Sequence, residues 1–204
     1  MRKIFITGIG TDVGKTVVSS VLVEALKADY WKPIQTGSFF STDTAQVLKL
    51  VANSESKFHP ESYVLKEYMS PHVAAELEGI EISLDKIILP ETNNTLIIEG
   101  AGGLLVPLNR KEFMIDIIQK FDAEVVLVVQ NYLGSINHSL LSIEALKNRG
   151  LNILGIIFNG PPHKLSEDII IDTSGLKLLG HINKENEINK DIISMYSKEF
   201  EYLK

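Results

Sequence analysis

The chain has 204 residues, of which 45% are hydrophobic, a length and composition that suit one folded domain with a substantial buried core. Its formal net charge of −6 argues against a nucleic-acid-binding protein, because such proteins present clustered lysine and arginine to the phosphates. It contains no cysteine, which excludes disulfides, thiolate metal sites and cysteine nucleophiles, and no apolar run approaches the roughly 18 residues that a membrane span requires.

The chain begins with MRKIFITG, which holds too short an apolar run for a secretory signal peptide. No internal repeat, low-complexity linker or shift in composition divides it. We therefore expect one domain over residues 1–204, working in the cytoplasm without binding a membrane or a nucleic acid. The acidic balance still leaves room for a small basic cleft of the size that a nucleotide needs.

Apolar periodicity predicts an alternation of strands and helices along the chain. Strands are expected at residues 3–7, 30–33, 95–98, 125–129, 152–158 and 176–182. Helices are expected at residues 16–26, 44–52, 73–78, 84–89, 113–121, 135–149 and 191–200, with the least regular stretch, a candidate lid, at 53–94. Strands rich in isoleucine and valine on both faces are typical of buried parallel sheets. The pattern predicts an α/β fold in which helices flank a mostly parallel β-sheet on both faces.

A glycine-rich loop, GIGTDVGKT, occupies residues 8–16 between the first predicted strand and the first predicted helix. Glycines let successive backbone N–H groups turn toward a polyphosphate, and the following helix directs its positive dipole end to the same place. Lys15 can reach the outer phosphates, and the Thr16 hydroxyl can bind Mg²⁺. Ile9 stands where the usual G-x-x-x-x-G-K-[ST] spacing has glycine, so counting from Gly8 the loop is one residue longer. The loop predicts a site for a nucleoside triphosphate with Mg²⁺.

Further polar residues follow other predicted strands. Glu99 comes directly after a buried strand, at the sheet edge where parallel sheets bind ligands. The glycines after it are predicted to form a turn that lets a ligand approach the backbone. Lys32 ends the second predicted strand at the same edge, although most lysines are solvated surface groups. Asp43 has two interpretations that the sequence leaves open, a metal ligand or a cap for the helix at 44–52, a role that Thr42 can also fill.

Two other positions also have two interpretations each. Asn159, after the strand at 152–158, can read a purine edge or can start the turn Asn-Gly-Pro-Pro. The helix at 135–149 begins at Gly134 and Ser135, where free N–H groups can receive a small anion or Ser135 can form an ordinary N-terminal cap. The five histidines show no metal-ligand spacing, so no zinc site is predicted.

Several motifs together resemble those of the dethiobiotin synthetase family, in the family's order and from residue 4 to about residue 160. They are TGIGTDVGKT at 7–16, WKP at 31–33 with TGS at 36–38, SPH at 70–72, EGAGG at 99–103 with PL at 107–108, and LGSINH at 133–138. The resemblance implies a P-loop NTPase fold and an ATP-dependent cyclo-ligase. It implies that CO₂ and 7,8-diaminononanoate form a carbamate, that MgATP phosphorylates it, and that the second amine closes the ureido ring of dethiobiotin with release of phosphate.

The resemblance also implies roles for individual residues. Lys15 and Lys32 would be catalytic, on either side of the carbamate and the γ-phosphate. Mg²⁺ would be held by Thr16, Asp43 and Glu99. The nucleotide contacts would be Asp12, Val13, Gly14, Lys15, Thr16, Val17, Asp43, Glu99, Gly100, Ala101, Gly102, Asn159 and Gly160. The substrate contacts would be Thr36 and, from the second subunit of a homodimer, Gly134, Ser135, Ile136 and Asn137.

Three places depart from the family pattern. Tyr132 stands where some relatives carry a lysine near the substrate carboxylate, and Asp12 replaces a glutamate found in some members. His181, Ile182 and Asn183 occupy a stretch where relatives often read Ile-Pro and contact the base. This last departure leaves the selectivity for ATP over other triphosphates open.

Two related classes provide alternatives. Switch ATPases of the partition or septum-site kind carry a signature lysine early in the loop, where this chain has Gly10, and often a basic amphipathic tail. The stretch at 190–200 mixes charges instead. Amide-forming ligases of the cobyrinate type carry a glutaminase domain with a cysteine nucleophile, for which this chain has neither the length nor a cysteine. The switch ATPase is therefore the nearer alternative to a synthetase.

Overall fold

The computed structural model describes residues 1–37 and 41–204. Its strands are β1 (Lys3–Gly8), β2 (Asp29–Trp31), β3 (Ile34–Thr36), β4 (Phe58–His59), β5 (Tyr63–Leu65), β6 (Leu96–Gly103), β7 (Glu124–Val129), β8 (Ile153–Asn159) and β9 (Leu178–Ile182). Its α-helices are α1 (Lys15–Leu26), α2 (Asp43–Leu50), α3 (Pro71–Leu77), α4 (Met114–Phe121), α5 (Ser135–Asn148), α6 (Lys164–Ser174) and α7 (Lys190–Ser197). Short 3₁₀ helices span Leu84–Lys86 and Lys198–Leu203.

Seven strands of the described chain form one sheet in the order β4-β2-β6-β1-β7-β8-β9, and every neighbouring pair is parallel. β3 and β5 form a second, two-stranded parallel sheet. The predicted α/β fold with a mostly parallel sheet is therefore confirmed. Because β1, β2 and β6 are parallel neighbours, their carboxyl ends meet at one edge of the sheet, where ligands bind in such folds.

The apolar side chains of the central strands alternate between two buried clusters. Ile4 and Ile6 of β1 belong to the cluster that contains residues of α1 and α7. Phe5, between them, belongs to the cluster that contains residues of α4. The sheet is thus covered on both faces, which is why its strands carry isoleucine and valine on both.

The stretch at 53–94 has more regular structure than its sequence indicates. It contains β4, β5, α3 and one 3₁₀ turn. Leu65, Ala74, Ile82 and Ile87 are fully buried in the same cluster as Phe5. Those contacts attach the stretch to the main sheet. The predicted helix at 84–89 is wrong beyond the single turn at Leu84–Lys86.

Two other predictions of secondary structure are wrong. The glycines after Glu99 do not form a turn, because β6 continues through them and its Gly103 pairs with Gly8 of β1. No helix is predicted where α6 forms. The remaining predicted strands and helices differ from the structure by a few residues at their ends. Ser38, part of the motif at 36–38, lies outside the described residues.

Over residues 1–37 and 41–204, no helix combines the length and the apolar character that crossing a membrane requires.

Candidate active site

The glycine-rich loop at 8–16 connects the carboxyl end of β1 to α1. Two of its residues take left-handed backbone conformations, Asp12 with φ 58° and Gly14 with φ 91°. A Cβ atom on Gly14 would lie 2.0 Å from Nδ2 of Asn159, at the end of β8. The same Nδ2 donates a hydrogen bond of 3.1 Å to the Val13 carbonyl. Glycine at position 14 is therefore required both by the backbone and by the contact that holds the loop against β8.

Beside the loop, a hydroxyl and two carboxylates converge. Oγ1 of Thr16 lies 2.9 Å from Oε1 of Glu99 and 3.1 Å from Oδ1 of Asp43. Glu99 is 1% exposed, and its other oxygen accepts a hydrogen bond of 3.0 Å from the Tyr30 hydroxyl. Burial and the charge of Glu99 raise the pKa of Tyr30 well above its ordinary value, so this hydroxyl remains a donor.

Lys32 lies between the two carboxylates. Its Nζ is 2.6 Å from Oδ2 of Asp43, 3.2 Å from Oε1 of Glu99 and 3.3 Å from the carbonyl oxygen of Gly100. Burial acts to lower the pKa of Lys32, but the charges of Glu99 and Asp43 outweigh it and the pKa is raised. The side chain therefore stays an ammonium group, and because it is 3% exposed its charge is little screened by solvent.

Lys15 is a second buried cation with a different environment. Its Nζ donates a hydrogen bond of 3.0 Å to the Gly10 carbonyl, across the phosphate loop. Burial lowers the pKa of Lys15 to about 8; the Glu99 charge opposes this shift and the Lys32 charge adds to it. Lys15 thus loses its proton near neutral pH more readily than Lys32, and an anion beside it would restore the charge.

The structure separates the two interpretations of Asp43. Thr42 is the cap of α2, because its hydroxyl accepts a hydrogen bond of 3.1 Å from the N–H of Ala45. The N–H of Asp43 instead donates to Oε1 of Gln35 at 3.0 Å. The Asp43 carboxylate takes no part in capping and faces the cluster. Gln35, which was not predicted as a site residue, therefore holds Asp43 in position.

The oxygen atoms of this cluster fit Mg²⁺. Thr16, Asp43 and Glu99 supply a hydroxyl and two carboxylates, the hard ligands that this ion prefers. No group of three or more histidine, cysteine, aspartate or glutamate side chains forms a metal site within the described part of the chain. A six-coordinate ion here would therefore need further oxygens from phosphates and water.

These residues border a cleft of about 340 Å³. Its lining comprises Thr11, Asp12, Gly14, Lys15, Thr16, Lys32, Thr36, Asp43, Gln46, Tyr68, Glu99, Ala101 and Gly102. Most of the predicted site is thus brought together, and Thr11, Gln46 and Tyr68 were not among the predicted site residues. The side chains of Val13 and Val17 pack in or against the apolar core. The N–H of Gly160 donates to the carbonyl of Ile182 at 2.8 Å, which joins the ends of β8 and β9.

The helix start at Gly134, Ser135, Ile136 and Asn137 is not part of this lining. Gly134 occupies the N-cap of α5 without a side-chain cap, and the first turn contains no acidic residue. Leu133, just before it, is fully exposed. The Tyr132 hydroxyl lies 2.8 Å from Nδ1 of His138. The N–H of Ser135 donates to the carbonyl of Tyr132 at 3.0 Å, so the start of α5 is a helix N-terminus without a side-chain cap, beside an exposed leucine.

Comparison with known proteins gives close relatives along the whole chain. A family model described as an AAA domain matches residues 2–191. The ATP-dependent dethiobiotin synthetase BioD of Cytophaga hutchinsonii is 52% identical over 97% of this chain and 96% of its own length. The protein of the same name from Christiangramia forsetii is 51% identical over 98% and 96%. The one from Chlamydia pneumoniae is 43% identical over 98% and 90%.

Solved structures of similar fold have much lower sequence identity. The cell division ATPase MinD of Pyrococcus furiosus superposes with a TM-score of 0.63 at 16% identity, with both chains fully covered. A ParA family ATPase from Chlorobium tepidum superposes with a TM-score of 0.57 at 11% identity, over 97% of this chain and 98% of its own. At such identities the likeness establishes the fold alone.

Proposed function

Because the chain belongs to the ATP-dependent dethiobiotin synthetase family, we propose that its cleft joins CO₂ to 7,8-diaminononanoate while ATP is converted to ADP and phosphate. The observation that carries this proposal is the pairing of two buried lysines, Lys15 and Lys32, with two carboxylates beside a phosphate loop. A switch ATPase takes a second cation from a signature lysine early in the loop, where this chain has Gly10. Here the second cation is Lys32, between two carboxylates, a position that suits a carbamate intermediate.

The proposed chemistry has three steps. One amine of the substrate attacks CO₂ and loses a proton, which forms a carbamate anion. A carbamate oxygen attacks the γ-phosphorus of ATP, and ADP leaves. The second amine attacks the carbonyl carbon of the resulting carbamic-phosphoric anhydride, phosphate leaves with its electron pair, and loss of a proton from the nitrogen gives the cyclic urea.

We assign the residues by the charge that each step develops. Lys32 neutralises the carbamate and then the transferred phosphoryl group, since its ammonium is permanent and already faces anions. Lys15 and the loop N–H groups bind the outer phosphates. Thr16, Asp43 and Glu99 would hold Mg²⁺, which when bound neutralises phosphate charge. Thr36, which also lines the cleft, offers its hydroxyl to the diamine.

We place adenine beside the end of β8. Asn159 uses its Nδ2 to hold Val13, which leaves Oδ1 as an acceptor for an exocyclic amino group. Asp12, Val13, Gly14 and Val17 would contribute their backbone to the phosphates. The backbone of Gly100, Ala101, Gly102 and Gly160 would complete the nucleotide contacts. Selectivity for ATP then depends on how His181, Ile182 and Asn183 at the neighbouring end of β9 contact the base.

The substrate carboxylate requires a second site, and we assign it to the start of α5 in a homodimer. The N-terminus at Gly134, Ser135, Ile136 and Asn137 has no side-chain cap and suits a carboxylate, because helix N-termini attract anions. That helix start does not line the cleft of its own chain, so a second copy would supply it. The fully exposed Leu133 supports burial there on dimerisation.

Two broader assignments complete the proposal. We treat residues 1–204 as one P-loop domain, supported by the shared apolar cluster that includes Leu65, Ile82, Phe5 and Ile98. We place the reaction in the cytoplasm, where ATP and the product's further use coincide. The alternative of a partition or septum-site switch ATPase has support from the fold likeness alone.

The test is phosphate release from MgATP and bicarbonate, measured with and without 7,8-diaminononanoate. We expect release that depends on the diamine and yields dethiobiotin. Lys32→Ala should lower the rate at least about 100-fold, the typical effect of removing one preorganised charge-stabilising group. Lys164→Ala is the matched control, since this exposed lysine forms its ion pair with Asp168 on α6, away from the cleft lining. ATP hydrolysis indifferent to the diamine would contradict the proposal and favour the switch ATPase.

A further inference from the structure

The cleft that holds the lysines and carboxylates is lined mostly by polar residues. Among the described residues that border it, Tyr68 alone has a large hydrophobic surface, and the other nonpolar members are Ala101 and two glycines. The proposed substrate carries a hydrocarbon chain between its amines and its carboxylate. Such a chain gains free energy only where apolar surface can cover it. The polar residues can bind the phosphates, the metal ion and the amines. They offer no apolar surface to the hydrocarbon chain of the substrate.

The ring of Tyr68 packs directly against the backbone of Gly37. A Cβ atom on Gly37 would lie 2.4 and 2.5 Å from two ring carbons, so any side chain there would displace the ring. Gly37 also has φ 96°, a conformation that other residues rarely adopt. Its N–H donates a hydrogen bond of 3.0 Å to the carbonyl of Leu65, a fully buried residue of β5. This hydrogen bond attaches Gly37, on which the ring packs, to the buried strand β5.

The Tyr68 side chain nevertheless remains 84% exposed. Its contact with Gly37 therefore buries little apolar surface and adds little to the stability of the fold. Thr36 precedes Gly37 and lines the same cleft, which brings a hydroxyl for the amines next to an apolar ring. Aromatic side chains are common in the lining of ligand sites.

We propose that Tyr68 binds the hydrocarbon chain of the vicinal diamine and thereby selects a long-chain substrate, an inference that rests on the function proposed above. The ring supplies apolar contact beside the cleft, and both its packing and the φ of 96° require glycine at position 37. The hydroxyl of Tyr68 has no part in the contact. Phenylalanine should therefore replace the tyrosine, whereas alanine should not.

The test compares Tyr68→Ala and Tyr68→Phe with the wild type under two diamines. One is 7,8-diaminononanoate; the other is 2,3-diaminobutane, which keeps the vicinal amines and lacks the chain. Tyr68→Ala should raise KM for the long diamine roughly tenfold, the factor for losing contact with some tens of square ångströms of apolar surface. Its kcat, its KM for MgATP and its rate with the short diamine should stay unchanged, and Tyr68→Phe should behave as wild type.

Met69→Ala is the local control, because Met69 is exposed, adjacent in the chain and absent from the cleft lining. Urea unfolding of each variant checks that the fold is intact. If Tyr68→Ala leaves KM for the long diamine unchanged, or lowers the activity equally with both diamines, the role assigned to Tyr68 is wrong, but the proposed function still stands. If the wild-type rate of ATP hydrolysis is the same with and without either diamine, the proposed function is wrong. The two failures are therefore distinguishable.

Discussion

Two buried acidic centres lie at opposite edges of the same sheet, and they differ in what neutralises them. At the amino edge, Asp29 is 1% exposed and accepts hydrogen bonds from the Lys57 N–H at 3.0 Å and from Nδ2 of Asn94 at 3.2 Å, with Nε2 of His59 at 3.1 Å. Burial acts to raise the pKa of Asp29, but these hydrogen bonds, that of Lys57 first, bring it below its ordinary value.

At the carboxyl edge, Glu99 is equally buried, but its neighbours are of another kind. Besides the Tyr30 hydroxyl, it meets the Thr16 hydroxyl and the ammonium of Lys32. A backbone N–H is fixed by the fold, whereas a hydroxyl can rotate and a lysine side chain can move to a new anion. The amino-edge centre is thus held by one backbone N–H and by imidazole and amide side chains, whereas the carboxyl-edge centre has hydroxyl and ammonium partners that a metal ion or another anion can displace.

Cavity size does not indicate which of the two edges is the functional one. Asp29 borders a space of about 720 Å³, larger than the 340 Å³ cleft beside Glu99. Exchangeable partners are therefore the better guide to function in this molecule. The comparison leads to three predictions, from the largest expected effect to the smallest.

Glu99→Gln should remove at least about 100-fold of the diamine-dependent rate of phosphate release. The amide keeps the shape of the side chain but loses the charge that Lys32 and a metal ion need. The steady-state rate at saturating substrates is the measurement. A variant that keeps more than a tenth of the wild-type rate would show that the charge of Glu99 is dispensable.

Asp29→Asn should lower the free energy of unfolding by about 2 kcal/mol and leave kcat unchanged. The amide group can accept fewer hydrogen bonds than the carboxylate, so at least one of the donors at this edge loses its partner. Urea denaturation measures the first effect and the phosphate-release assay the second. A large fall in kcat with normal stability would mean that the two edges do not differ in the way described.

Affinity for MgATP should fall as the pH rises above about 8, by up to tenfold per pH unit, because Lys15 of the free protein loses its proton there. Binding measured without diamine between pH 7 and 9.5 tests this. Lys15→Arg keeps the charge and should flatten the profile, whatever its absolute affinity. A wild-type profile as flat as that of the arginine variant would contradict the prediction.

The same shift has the opposite effect on stability. The folded pKa of about 8 lies below the ordinary value of 10.5, so between these pH values the unfolded chain binds more protons than the folded one. The contribution of Lys15 to the free energy of unfolding should therefore increase with pH over this window, while nucleotide affinity decreases.

The sheet and the phosphate loop are predictable from sequence because their signals are local. Strands such as β7 read as uninterrupted valine and leucine, and the loop carries glycine, lysine and threonine within nine residues. Lys32 and Glu99 could be placed at one edge because parallel strands end on the same side of a sheet. The helix cap at Thr42, by contrast, became distinct from Asp43 only with the structure.

Features that depend on contacts between distant segments could not be predicted. α6 buries few of its residues and leaves Leu165 exposed, so it shows no clear apolar face in the sequence. Gln35 matters because the fold brings the N–H of Asp43 to it, eight residues along. Tyr68 matters because its ring rests on Gly37, and neither residue marks that contact in the sequence.

Lys32 serves as a counterion, within the protein itself, for the carboxylates of Asp43 and Glu99. Its ammonium, 2.6 Å from Oδ2 of Asp43, offsets in advance much of the negative charge that would otherwise attract a bare cation. Lys32 can give up this place at little cost only when another anion arrives for it. We therefore expect cation and nucleotide to enter together, as one complex whose phosphates can take over Lys32, rather than one after the other.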